Sequence, residues 1–442
     1  MAEPSGRAMG NREVLRIPDF RRLFLAQGIS DVGDGMTYLA LYLLVLELTG
    51  STVAIAVLSI LVAVPPVTIG LFAGAYADRL DRRRIMLVSD TLRAGLVLAI
   101  VLFQGPVTLP IVFGLAFLQA VVGTFFSPAR AALVPRVVPP EGLLAANSLN
   151  QMSRVVGNVI GIAFKGAVAG AAGVVWPAFV LDAATFLASV AIVYTVSREA
   201  GRIHAEDASA ARERGLRGSV ADGLRVIARS RALIATLTGV AVTMLGLGAI
   251  NVLFVPFAFR DLGASPAWAG PIEGAQALSM VLASGLVVGL GRRFRVSTVF
   301  VGGLAGVAVC VGSLAFAMNI WMVLAAMFAV GWFVMPVHAT TMTIVQSSTT
   351  DAARGRVSGA LNAVTQTATI ASMAVAGILG DVVGIRVVFL GGAAIAGLAA
   401  VLAWALFRGV ATSERAGAGE GSVDDVVAEG VTPTPGEALP AA

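Results

Sequence analysis

Apolar stretches of about the length needed to cross a bilayer recur from Leu23 almost to Leu406, and each helical crossing of the hydrocarbon core takes roughly 20 such residues. A chain of 442 residues that is 57% hydrophobic and only 13% charged, with a mean hydropathy of +0.87, has too few polar side chains to cover a water-facing surface. Lipid is the natural solvent for that surface. Reading apolar runs against their breaks places helices near 21–47, 52–78, 84–103, 107–134, 143–170, 174–197, 232–259, 267–290, 296–317, 320–346, 356–381 and 385–407. The expected fold class is therefore an all-α polytopic membrane protein of twelve transmembrane helices.

Charge sets the expected topology. The sequence pI of about 10.1 could point to nucleic acid, but the basic residues form short clusters between apolar runs rather than one stripe. With a cytoplasmic N-terminus, the clusters at Arg7 to Arg22, Arg79 to Arg84, Arg130 and Arg136, the central loop, Arg292, Arg354, and Arg408 with Arg415 all fall inside. Only Arg260 and Arg386 fall outside, while Arg93, Arg154 and Lys165 lie within helices. Both ends are thus expected to face the cytoplasm of a plasma (inner) membrane. The first apolar run is too long for a signal-peptide core and lacks a small-residue cleavage site, so it is expected to remain as the first helix. Cys310 is the single cysteine, which excludes a disulfide within the chain and a cysteine metal site.

The chain divides into an N-terminal segment (1–20), a first six-helix bundle (21–197), a charged central loop (198–231), a second bundle (232–408) and a tail (409–442). Gly74 and Gly285, and likewise Gly173 and Gly384, stand about 211 residues apart, and Gly123 with Pro128 matches Gly331 with Pro336 at nearly that spacing. Parallel halves of this kind are a repeat pattern of secondary transporters. In the loop, Val220, Leu224 and Ile227 share one face of a possible short surface helix. The tail, rich in Ala, Gly, Glu, Asp and Pro, has too few large apolar groups to fold.

After the second helix comes Gly-Ala-Tyr-Ala-Asp-Arg-Leu-Asp-Arg-Arg-Arg, Gly74 to Arg84, which resembles the signature loop of the major facilitator superfamily. By that resemblance Gly74, Asp78, Arg79, Arg82 and Arg84 form a cytoplasmic gate, with Asp78 meeting the start of helix eleven near Gly355. Asp81 departs from the pattern, standing where the family usually has glycine. Further fragments are similar to the drug-exporter branch that includes macrolide, tetracycline and siderophore exporters: Gly33-Asp34-Gly35, Ser89 to Arg93, Ala146 to Leu149, Leu181-Asp182-Ala183 and Arg354 to Val357. The fold so implied is two pseudo-symmetric six-helix bundles, and the function a secondary transporter working by alternating access. The Gly-Pro stretch that antiporters of the superfamily often carry in helix five is replaced here by Gly157-Asn158-Val159-Ile160-Gly161, so proton antiport does not follow from that motif.

Charged side chains at bilayer depth cost about 2.5 to 3.5 kcal/mol each on insertion scales, so each needs a partner, a wet cavity or a task. Helix one puts Gln27, Asp31, Tyr38 and Tyr42 on one face, flanked by Asp34. Helix five aligns Asn147, Gln151, Arg154, Asn158 and Lys165 along one edge, and helix eleven echoes it with Asn362, Gln366 and Thr369. Asn251 in helix seven is a further cavity candidate. Asp34, with Asp31 nearby, is the candidate proton-coupling site; Lys165 or Arg154 would be its counter-charge, or the anchor of an anionic substrate group, or one member of a fixed pair holding helices one and five together. Glu273 and His338 are secondary proton-coupling candidates. Asp90 with Arg93 reads as a local ion pair at i, i+3, and Asp182 as hydrogen-bonded to neighbouring backbone, since family placement puts helix six outside the cavity. Met36, Met244 and Trp332 join the tyrosines as candidate adaptable apolar wall.

There is no Gly-x-x-x-x-Gly-Lys-Ser/Thr phosphate loop, no histidine pair at metal spacing and no credible nucleophile with its base. The expectation is a transporter rather than an enzyme, without metal or cofactor. A proton gradient would drive it as an antiporter, exporting amphipathic drugs or metabolites (multidrug efflux, antibiotic resistance) as a monomer, with small-molecule substrate and membrane lipid as its partners. An exporter or flippase of an anionic metabolite, siderophore or lysophospholipid is the alternative, and an uptake carrier a further one.

Overall fold

A computed structural model of the chain describes residues 9–70, 73, 76, 80–103, 108–172, 175–197 and 218–408. Among them, twelve long helices run as α1 (Pro18–Thr49), α2 (Thr52–Thr68), α3 (Arg82–Val101), α4 (Leu109–Val137), α5 (Leu143–Ala172), α6 (Trp176–Tyr194), α7 (Arg231–Val255), α8 (Ala269–Arg293), α9 (Val296–Leu314), α10 (Ile320–Ser347), α11 (Asp351–Val382) and α12 (Ile385–Phe407). Eight helices of the described chain, α1, α4 and α7 among them, are long and apolar enough to cross a bilayer by length and composition. The arginines that open α3 place it outside that count.

Local chemistry sets the helix ends. Ser51, Ser230 and Asn319 cap α2, α7 and α10 through side-chain oxygens. Asp81, the departure from the family's loop, is the N-cap of α3: its carboxylate accepts from the Arg84 N–H at 3.1 Å. Gly50 ends α1 with φ of 60°. Arg83 donates to the Val193 and Tyr194 carbonyls at the end of α6, and Arg22 to the Thr195 carbonyl at 3.0 Å. These cations neutralise the negative end of a helix as well as setting topology. The starts of α1 and α3 therefore share one face with the end of α6, called here the terminal face; the opposite face carries the α1–α2 and α11–α12 turns.

Six helices pack on each side of a central divide. In the first half α1 lies against α5 and α6, and α3 against α4 and α6; in the second, α7 lies against α11 and α12, and α10 against α8 and α9. Between halves, α2 meets α11 and α5 meets α8. The apolar core is uneven across this divide. One cluster, from Leu39 and Phe179 through Val252, Phe257 and Phe389, spans both halves at the far face. Toward the terminal face the described core separates into clusters belonging to one half alone, around Phe300 and Val357 in the second and around Leu23, Met86 and Phe20 in the first.

The linker helix Gly218–Ile227 does not lie free on a surface. Ile227 is buried with Val357 and Ala360, and a Cβ on Gly223 would strike the Arg356 carbonyl, so the helix is docked flush on α11. Gly161 plays the same part between α5 and α1, where an added Cβ would collide with the Val32 carbonyl. Gly161→Ala is expected to cost about 1 to 3 kcal/mol as overpacking, measurable as a lowered unfolding temperature in detergent. Gly391→Ala, with nothing within 4 Å of the new methyl, should leave that temperature the same or slightly raised, since alanine is the better helix former.

Candidate functional site

A cavity of about 430 Å³ opens between the halves, bounded by α1 to α5 and by α8. From α1 come Asp34, Thr37, Tyr38 and Tyr42, from α5 Asn158, from α4 Gln119 and from α8 Glu273. The two tyrosine rings lie 4.6 Å apart, and the Tyr42 hydroxyl is hydrogen-bonded to Ser59 of α2 at 2.7 Å. Glu273 is half-buried opposite Tyr38, with no ion-pair or hydrogen-bond partner among the described residues. A carboxylate beside two aromatic faces, with no internal cation, suits a positively charged organic group.

The charge partner of Asp34 differs from the sequence expectation. Arg93 of α3, not Lys165 or Arg154, reaches the Asp34 carboxylate. The Asp90 contact expected for Arg93 is the longer one, at 3.8 Å. The guanidinium lies 4.1 Å from the Phe186 ring centroid, a flat apolar platform that holds it toward α1. Asp182 also departs from expectation: side-chain hydroxyls of Thr37 and Thr185 donate to its carboxylate, at 2.5 Å and 3.2 Å. It is thus tied across to α1, and Gly33 makes this possible, since a Cβ there would collide with Asp182 and Thr185.

The remaining candidates fall outside the lining of the cavity. Gln27 and Asp31 are buried toward the terminal face, where the Gln27 amide donates to Asp31 at 2.5 Å and the Arg130 and Arg154 charges act on the same carboxylate. Lys165 is fully buried at the far end of α5, its ammonium 3.5 Å from the Val175 carbonyl and in the field of Glu47. Gln151, Arg154, Asn251, Asn362 and His338 are exposed and Gln366 is half-buried. Met36 packs in the core, and Met244 and Trp332 are half-buried away from the cavity. Gly74, Asp78 and Arg79 lie outside the described residues; of the gate loop, Arg82 is buried and Arg84 exposed at the start of α3.

The polar edge of α5 faces the divide. Gly157 and Gly161 of that helix pack on α1, while Ala163 and Val159 meet Gly270 and Gly274 of α8. The edge from Gln151 to Lys165 falls in the arc between these two contacts, and the opposite arc carries exposed Val156, Ile160 and Phe164. Along the edge, exposure falls from Arg154 through Asn158 to Lys165. The same gradient runs along α11, from exposed Asn362 to buried Ser372.

At the far face the halves are latched by polar contacts that sequence reasoning missed. Asp381, at the end of α11, accepts from the Ser51 hydroxyl at 2.7 Å and from the Thr52 hydroxyl and N–H at 2.8 and 2.9 Å, so a carboxylate of the second half caps the first turn of α2. Arg260 donates to the Gly50 carbonyl at 2.6 Å. Neither is visible in one dimension, because the partners are separated by more than 200 residues. Arg93 was legible as an intramembrane charge, but its choice of Asp34 over Asp90 was not.

Two six-helix halves around a central cavity of apolar, aromatic and charged side chains define a membrane transporter of the major facilitator fold. Among solved structures, the chain superposes on the nucleoside transporter NupG with a TM-score of 0.73 at 12% identity, covering 88% of this chain and 99% of that one. Against a bacterial homologue of the iron transporter ferroportin in an inward-facing state the TM-score is 0.71 at 16% identity, over 89% and 99%. The chain belongs to the transmembrane secretion effector family of that superfamily, whose sequence profile matches residues 12–434. Among its relatives, the multidrug efflux pump Tap of Mycobacterium tuberculosis is 27% identical over 85% of this chain and 90% of its own. Macrolide efflux protein A of Streptococcus pyogenes is 26% identical over 61% and 66%, and the MFS-type transporter YfiS of Bacillus subtilis 27% identical over 83% and 88%.

Replacing the latch carboxylate removes a helix cap worth about 1 kcal/mol, or roughly a fivefold shift in a two-state equilibrium. Asp381→Ala is expected to widen the far face, read as a longer distance between spin labels at positions 49 and 383 in a larger share of molecules. An unchanged distribution would mean that the apolar cluster alone closes that face.

Proposed function

We propose that this chain exports amphipathic, positively charged small molecules from the cytoplasm by alternating access, in exchange for protons. The observation that carries the reading is Glu273: a carboxylate on the wall between the halves, beside the Tyr38–Tyr42 pair, with no counter-ion of its own among the described residues. A mobile cation that supplies the missing charge would gain both the ion pair and the aromatic faces. The efflux activities named for the relatives support export as the direction. The arginine distribution supports a plasma-membrane orientation with the terminal face in the cytoplasm.

Alternating access is supported by the uneven divide. The halves share core and latch at the far face, while described core residues near the terminal face belong to one half or the other. With the termini in the cytoplasm, this is the state that loads substrate from inside; breaking the Asp381 and Arg260 contacts would release it outside. The chain is proposed to act as a monomer, with substrate and lipid as its partners and no cofactor beyond the proton gradient. An anionic substrate has less support, because neither cation that suggested it lines the cavity: Lys165 is buried at the far end of α5, and Arg154 is exposed further toward the terminal face.

Purified chain in proteoliposomes with an imposed pH gradient is the test. Ethidium is expected to move against its gradient as protons flow the other way, and Glu273→Gln to lower its kcat/KM about tenfold or more, the order expected for a lost buried ion pair. An anionic dye should be transported poorly and be insensitive to that substitution. Equal transport of both dyes, or anionic flux alone, would transfer support to the anionic metabolite or lysophospholipid exporter; no flux of any compound would remove the transporter reading.

A further inference from the structure

Asp182 lies on α6 and does not line the cavity, and its side chain is fully buried. Among the described residues no cation stands within ion-pair distance of it; the guanidinium whose field reaches it, Arg93, is in contact with Asp34 and lies 3.8 Å from Asp90. The groups facing Asp182 are few. From α1 they are Asp34 and Thr37, from α3 Arg93, and from α6 itself Thr185; Asp90 of α3 stands on the other side of Arg93, two turns along α6, where Ser189 donates to it at 2.6 Å. Three carboxylates thus share one guanidinium. With all four groups ionised the cluster would hold two uncompensated negative charges in a low-dielectric interior, and one proton removes one of them.

The route for that proton is short. Thr37 has its hydroxyl on Asp182 at 2.5 Å and belongs to the cavity wall, one helical turn after Asp34. A hydroxyl can pass a proton on by accepting one and giving up its own, so it ends unchanged. Gly33 brings α1 close enough for this contact.

We infer that Asp182 is the proton-carrying carboxyl of the transport cycle, reached through Thr37, and that its charge decides whether Arg93 stays on Asp34. The inference rests on the proton-antiport reading above. When Asp182 gives up its proton, the added negative charge draws Arg93 toward α6, and the Asp34 carboxylate, freed on the cavity wall, takes a cationic substrate. When a proton returns through Thr37, Arg93 goes back to Asp34 and displaces the cation. One proton enters for each positive charge released, so charge balances for a monovalent substrate. Asp182 acts through Arg93 and Asp34 and is a positioning residue with respect to the substrate.

The test uses the purified full chain with tetraphenylphosphonium as probe, reading binding from pH 5 to 8 and proton release in weakly buffered solution. The wild type is expected to bind the cation at least about tenfold more tightly at pH 8 than at pH 5 and to release close to one proton per cation bound. Asp182→Asn mimics the protonated acid, so it should bind with the low-pH affinity of the wild type across the whole range and release no proton. Asp182→Glu should restore both the pH dependence and the release, and Thr37→Val should slow the release while leaving its final amount unchanged. Proton release by Asp182→Asn equal to the wild type overturns the inference. So does weakened binding by the same factor at pH 5 and pH 8, which is the mark of a structural role; Asp182→Glu distinguishes these outcomes should Asp182→Asn fold poorly. A wild type that binds the cation and releases no proton at any pH overturns the antiport reading and this inference with it.

Discussion

The amino-terminal half is organised around one guanidinium in the membrane interior. Arg93 cannot face hydrocarbon without a partner, and three acids, Asp34, Asp90 and Asp182, stand around it from three helices. Holding them there requires α1, α3 and α6 to stay in register, and the side chains that finish the cluster, Thr37, Thr185, Ser189 and Phe186, come from α1 and α6. Glycines on α1 and α5 supply the approach: Gly33 admits Asp182, and Gly161 lets the two backbones touch. The cavity wall at Asp34 is therefore the exposed edge of a buried charge network, which is why its chemistry is tied to α6, a helix that contributes nothing to the cavity lining.

Across the divide the physical logic is different. Apolar side chains and helix caps hold the halves at the far face, where Asp381 caps α2 and Arg260 satisfies the carbonyl of Gly50. Caps are short-range and directional, so they break within a small separation, whereas apolar contact yields gradually. A latch of this kind suits the parting and rejoining of halves that the proposed alternating access requires. It uses α2 and α11, the same pair of helices whose other ends the Gly74 to Arg84 motif would lock by resemblance to the superfamily.

Much of the fold was legible in the residues. Twelve apolar runs mark most of the helices to within about five residues, the second, expected over 52–78 and observed over Thr52–Thr68, being the exception. The polar line from Gln151 to Lys165 was legible too, because helical periodicity alone puts those residues on one edge. What they do there was not. Lys165 looked like a partner for Asp34, yet it lies at the far end of its helix beside the Val175 carbonyl. Asp81, an oddity in the motif, proved to be a helix cap, something that N-cap chemistry could have indicated from sequence.

Length and hydropathy by themselves determined that this chain is a twelve-helix membrane protein, because the thickness of a bilayer and the cost of burying charge act on each segment separately. Only the tertiary structure decided which acid meets which cation, since Asp34, Arg93 and Asp182 lie on three different helices and their distances depend on how closely those helices pack. Likewise only the assembled halves left Glu273 facing two tyrosines with no counter-ion among the described residues, a property of the space between two bundles rather than of either sequence segment.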